Sequence, residues 1–157
     1  MFKKTKLIQD FFHKLSHVYA VQTKSKSLLK TGWNGTGTGN VSTARLDKHT
    51  LIFTEQGSWK SINGSDFKFK NIYKWMLGKN SISVAHLRQG PEFPVFLGEL
   101  IPHGDILQSS SPHICINDKY SASLTAVGSK LSLVWRILGP SKNERIEHLY
   151  ITNPELT

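Results

Sequence analysis

Two parts of this chain hold side chains capable of chemistry. In the first, His113, Cys115, Asp118 and Tyr120 lie close together. On a strand, residues i and i+2 share a face, so His113 and Cys115 project to one side. That is a thiol beside a base, the pair that covalent catalysis uses. Read more simply, it is a small buried hydrophobe beside a hydrogen-bonded histidine. No oxyanion-hole segment accompanies the pair, which makes a nucleophile the weaker reading. His113 and Cys115 joined by Asp118, His86 or His148 would approach a metal site, but zinc needs three or four converging ligands. The seven histidines are scattered along the chain, and neither a metal nor another cofactor is expected. Ile116-Asn117-Asp118-Lys119 interrupts the strand pattern with turn-forming chemistry. A bulge or tight turn there would bring Asp118 and Tyr120 to the His113 side, where the aspartate would accept from the imidazole and fix its tautomer.

The second part centres on Glu55, which shares a strand face with Leu51 and Phe53. Asn71 interrupts an aromatic ladder of Phe67, Phe69, Tyr73 and Trp75. A carboxylate and an amide on apolar faces must find partners or shift their protonation. They form either an internal hydrogen-bonded network or the convergent polar groups of a small-molecule pocket. Proton transfer through Glu55 and Tyr73 is conceivable, but no second carboxylate supplies the acid–base pair. The candidate ligand-binding set is therefore Glu55, Asn71, Tyr73, Trp75, His113, Cys115, Asp118, Tyr120 and Trp135.

These residues need a scaffold. Leu7, Ile8, Phe11, Phe12 and Leu15 fall on one helical stripe, which predicts an amphipathic helix over 5–18 with Thr5 as its N-cap. The stripe suits packing on the domain better than a membrane surface. Thereafter the period changes to two. The sharpest case is 67–76, where aromatic residues and Asn71 alternate with Lys68, Lys70, Ile72, Lys74 and Met76. Further strands are expected over 21–29, 41–46, 51–56, 82–87, 95–101, 120–127, 131–138 and 145–151. Asn63-Gly64 is the strongest hairpin signal, because a type I′ turn needs two positive φ angles. Gly32 to Gly39 reads as a flexible loop or a sharply bent start to a strand, without the lysine and helix of a phosphate loop.

The 157 residues allow one domain, with the helix followed by a β-barrel over 21–152. About eight to ten antiparallel strands must hide their edges, and an up-and-down barrel does so directly; a sandwich is the alternative. The net charge of +9 is concentrated at the start of the chain, where residues 1–30 hold seven lysines against Asp10. No apolar stretch is long enough for a membrane span. Polar residues interrupt the run after Lys3, Lys4 and Lys6, so no secretory leader is read and a cytoplasmic protein is expected. One cysteine excludes an internal disulfide framework.

Phe53-Thr54-Glu55-Gln56-Gly57, Tyr73 with Trp75, His113 to Tyr120, and Trp135 to Lys142 occur in order. The pattern resembles an uncharacterised family of small lipocalin-like barrels over about Gly35 to Thr152. Its most specific pieces are His-x-Cys-x-x-Asp-x-Tyr and Trp-x-x-x-Gly-Pro-x-Lys. Asn71 stands where that pattern would place an arginine. Gly90-Pro91-Glu92-Phe93-Pro94 lacks the pattern's arginine and histidine, and Ser16-His17-Val18-Tyr19 replaces its Gly-x-Trp-like opening. The resemblance implies a lipocalin-like barrel and no particular activity.

The expected function is binding of a small, partly apolar molecule within an interior lined by Phe67, Phe69, Tyr73, Trp75 and Trp135. An enzyme using Glu55, His113 or Cys115 is one alternative. Nucleic-acid binding through Lys68, Lys70 and Lys74 is another, disfavoured because the aromatic residues occupy the opposite face of that strand.

Overall fold

The computed structural model describes residues 2–29 and 34–153. The order is α1 (Phe2–Leu15), β1 (Val18–Ser27), β2 (Gly35–Asp47), β3 (Thr50–Ser61), β4 (Asp66–Leu77), β5 (Ile82–His86), β6 (Val95–His103), β7 (Ile106–Ser109), β8 (His113–Cys115), β9 (Asp118–Val127), β10 (Lys130–Gly139) and β11 (Lys142–Thr152). All pairings are antiparallel. The sheet runs β10-β11-β1-β2-β3-β4-β5-β6-β7-β9, and a β9–β10 pairing closes it into a ten-stranded barrel. β8 is an additional outer strand on β9.

Alternation explains which side chains go inside. On β3, Leu51, Phe53 and Glu55 are buried between more exposed neighbours. Trp75 of β4, Ile82 and Val84 of β5, Leu100 of β6, Leu124 of β9 and Leu131 and Leu133 of β10 join them in the core. Burying each such side chain contributes roughly 1.5–3 kcal/mol.

The helix closes one end. Ile8, Phe11, Phe12 and Leu15 are buried, the Arg45 guanidinium lies 5.4 Å above the Phe12 ring, and the Thr43 hydroxyl donates to the Ser16 carbonyl at 3.2 Å. The helix lies three residues earlier than expected, and Thr5 is inside it rather than at its cap. Lys3, Lys4 and Lys6 are good helix formers and carry it upstream. It stops after Leu15 because Ser16 and His17 amides close the last turn and the Ser16 hydroxyl donates to the His13 carbonyl at 2.6 Å.

Of the two readings of Gly32 to Gly39, the start of a strand is the one observed: Gly35, Gly37 and Gly39 open β2, alternating with Thr36 and Thr38, and Gly32 lies outside the described residues. One turn expectation needs correction. The Asn63-Gly64 connection is a four-residue loop, not a two-residue type I′ turn. Only Gly64 takes a positive φ (94°), and the Asn63 side chain accepts from the Ser65 amide at 3.1 Å. That side-chain bond competes successfully with the tighter turn.

The strands fix two ends of the barrel. The β2–β3, β4–β5, β6–β7 and β9–β10 turns emerge beside α1. The β1–β2, β3–β4, β5–β6, β8–β9 and β10–β11 connections emerge at the opposite, open end. Among the described residues, no helix is long and apolar enough to cross a membrane.

Candidate functional site

Toward the open end, β1, β3, β4 and β11, with Arg88 after β5, line a solvent-open cavity of about 550 Å³. Its apolar side comes from Trp59, Phe67 and Phe69, consecutive inward positions on paired strands, with Ile146 from β11. Thr23, Ser25, Asn71, Tyr73 and His148 add polar groups, and Arg88 and Glu144 bring opposite charges. The size and lining are those of a small-molecule pocket.

Glycines help to make the room. Gly35, Gly37 and Gly39 fall on one face of β2, so that stretch presents no side chain inward. The Trp59 indole rests on this strip. A Cβ at Gly37 would stand 3.1 Å from Trp59 Cε3 and 2.7 Å from Thr23 Oγ1, and one at Gly35 would stand 2.9 Å from Trp59 Cζ2.

Below the cavity lies a buried polar network. Glu55, fully buried on β3, accepts a 2.6 Å hydrogen bond at Oε2 from the Tyr150 hydroxyl of β11. Glu55 directly faces Asn71 across the β3–β4 pairing, as Phe53 faces Tyr73. The His148 ring stacks on Tyr150 with centroids 5.7 Å apart and planes inclined by 14°. Tyr73 is set edgewise to both His86, at 5.0 Å, and His148, at 6.5 Å. Phe53 fills the opposite side, edge-on to Tyr150 at 5.5 Å. Glu55 Oε1, His148 Nδ1 and Trp59 Nε1 are buried with no hydrogen-bond partner among the described residues, as is Trp75 Nε1.

Burial dominates the electrostatics. It pushes the Glu55 carboxyl up to about 7, against the opposing pull of the Tyr150 hydrogen bond. Burial lowers His148 to about 4, leaving a neutral imidazole at physiological pH. Burial lowers His86 too, with help from the positive Arg88, while the Arg88 amide donates to His86 Nδ1 at 2.8 Å. Tyr73 and Tyr150 are raised by burial and then by the Glu55 charge, and both stay phenols. The floor thus holds one acid that burial draws toward its protonated form, among neutral donors and acceptors.

The nine candidate residues divide. Glu55, Asn71 and Tyr73 come together at the floor and wall of the cavity. Trp75 is instead packed in the core below them, 5.9 Å from Phe53. Trp135 is buried on β10, against the backbone at Gly98. His113, Cys115, Asp118 and Tyr120 form the β8–β9 hairpin, away from the described residues lining the cavity.

The geometry of that hairpin is a tight turn at Ile116-Asn117. It pairs His113 with Tyr120 and Cys115 with Asp118, placing all four on one face. The expected contact between His113 and Asp118 is not made. The register sets Asp118 opposite Cys115, and its carboxylate pairs with Lys142 at 3.5 Å and lies over Gly139. His113 instead packs edge-on against Phe96 at 4.9 Å. The two most specific sequence motifs thus meet each other, joining the β8–β9 hairpin to the β10–β11 turn. No group of three metal-ligating side chains converges among the described residues.

Sequence reasoning left out Tyr150, Trp59, Thr23, Ser25, Arg88 and Ile146, and weighed His148 only as a metal ligand. Two signals were available: the period-two run Ile146, His148, Tyr150, and the alternating glycines that leave space for Trp59.

Comparison with known proteins finds a match over residues 9–152 to the family model DUF6314, described as a family of unknown function. No curated protein matches the chain.

Proposed function

The chain belongs to the family of unknown function DUF6314, and from that premise we propose that it is a non-enzymatic, lipocalin-like binder of a small, partly apolar molecule. The ligand's apolar body lies against Trp59, Phe67 and Phe69, and its polar end points toward Asn71, Tyr73 and His148. The observation that carries this reading is the cavity itself: aromatic walls beside the polar groups of Thr23, Ser25, Asn71, Tyr73 and Arg88. Catalysis is the less supported use of Glu55, because Glu55 sits beneath the lining with its one hydrogen bond already directed at Tyr150.

Native mass spectrometry of freshly purified protein tests the reading. We expect a mass increment from a bound small organic molecule, lost in Ile146→Trp, whose indole extends into the cavity from β11. Circular dichroism of the variant should remain that of a β-barrel. An unchanged increment in the folded variant would place the molecule elsewhere and overturn the proposal.

A further inference from the structure

The two ends of the barrel carry opposite kinds of turn. Beside α1 the turn residues are polar (Lys48-His49, Gly78 to Asn80, Gly104-Asp105 and Gly128-Ser129), and the exposed apolar side chains there, Leu46, Met76 and Val127, belong to the flanking strands. Around the cavity mouth, every connection except the Pro140-Ser141 turn offers a large apolar side chain to solvent. Leu28 is 68% exposed, Ile62 84%, Phe93 64%, Ile114 62% and Ile116 90%. Leu28, Ile62, Phe93 and Ile116 come from separate connections, with Ile114 on β8 beside Ile116, and backbone bonds link some neighbours: the Leu28 amide donates to Asn143 O and the Ile62 amide to Asn34 O.

Ile116 is the most telling of them. It holds a φ of 59° in the β8–β9 turn. A β-branched residue there is strained, where asparagine or glycine would sit easily. Neither packing nor backbone geometry favours isoleucine at this position. Its side chain is 90% exposed, so no contact within the fold offsets that strain.

The charge around these tips is predominantly positive. Lys26, Lys60, Lys68, Arg88, Lys119 and Arg136 are exposed on the open half of the barrel, opposed there by Asp66, Glu92 and Glu144, while Asp118 is neutralised by Lys142. We propose that the open end docks on an anionic lipid surface, with the apolar tips inserted among the acyl chains and the cations at headgroup level. Separate tips spread round a ring suit a fluid interface, into which each can insert independently. A protein partner would instead call for one contiguous packed patch. Cations beside the insertion depth add attraction to anionic headgroups. The amphipathic helix does not take this role, because its apolar face is spent on closing the other end of the barrel. Docking in this orientation turns the cavity mouth toward the bilayer, although the surface argument stands whatever the cavity holds.

Co-sedimentation with vesicles tests it. The protein should pellet with mixed phosphatidylserine–phosphatidylcholine vesicles, less with phosphatidylcholine alone, and less as salt rises. Combined Ile62→Ser, Phe93→Ser and Ile116→Ser should weaken partitioning roughly tenfold or more. Lys3→Gln with Lys6→Gln, at the closed end, should leave it unchanged. Ile116→Asn separates docking from folding, since it should raise Tm by relieving the turn while weakening vesicle binding. Failure to pellet with anionic vesicles, or equal binding by the triple variant, would overturn the proposal. So would a dimer in solution that the triple variant abolishes, because a second copy would then cover these tips.

Discussion

Glu55→Gln gains stability over the native protein as pH rises from about 4.5 to about 7, by roughly 3 kcal/mol across that interval. The folded carboxyl titrates near 7 and the unfolded one at its ordinary 4.5. Between those values the folded state binds more protons than the unfolded state, so native stability falls with rising pH. Below the window both states are protonated, and above it the loss is complete. Glutamine keeps an acceptor for the Tyr150 hydroxyl but does not titrate, which isolates the carboxyl. His148 acts in the other sense. Its folded value near 4 lies below the ordinary 6.5, so its contribution falls as pH drops through that range. Between about 4.5 and 6.5 the Glu55 slope opposes those of His148 and His86, both lowered by burial. Denaturant melts of the native and Gln proteins at matched pH isolate the Glu55 contribution from theirs. Parallel stabilities across the window would mean that Glu55 is hydrated rather than buried.

Gly57→Val should lower stability by about 3 kcal/mol or more and Tm by roughly 10 °C. Gly57 faces Gly39 directly in the β2–β3 pairing. A Cβ at Gly57 would overlap the Thr38 carbonyl oxygen and stand 2.6 Å from Gly39 Cα. Both are backbone atoms, so no side chain can swing away to make room. β2 and β3 would have to part above Glu55, opening the wall that holds Trp59 over the glycines. Gly64→Ala in the β3–β4 loop, where a Cβ meets nothing within 4 Å, should cost less despite its φ of 94°. Similar thermal melts for Gly57→Val and the native protein would show that the strands do not approach so closely.

The barrel was legible because its signal is repeated. Alternation in 67–76 and 51–56 orients whole strands, and Glu55 could be placed inside by parity with Leu51 and Phe53 alone. The glycine run was harder. Glycine ordinarily marks turns, and its lack of a side chain conceals the same alternation that reveals β4. Short β7 and β8 have too few residues to show a period. The partners of Glu55 were out of reach for another reason. Tyr150 lies 95 positions away, on a strand that does not pair with β3, and only barrel closure brings them together. His113 and Asp118 erred on register: the turn reverses parity as anticipated, yet it sets the aspartate beside Cys115 and within reach of Lys142.

A titration with N-phenylnaphthylamine, a neutral aromatic probe, tests the cavity most directly. The account predicts saturable fluorescence enhancement at one probe per chain, with quenching of tryptophan emission as the probe settles beside Trp59. Ile146→Trp should abolish the saturable enhancement while keeping the fold, and any molecule released from the purified protein should compete for the site. Enhancement that never saturates, or that is the same in the folded Ile146→Trp variant, would contradict a binding site inside the barrel.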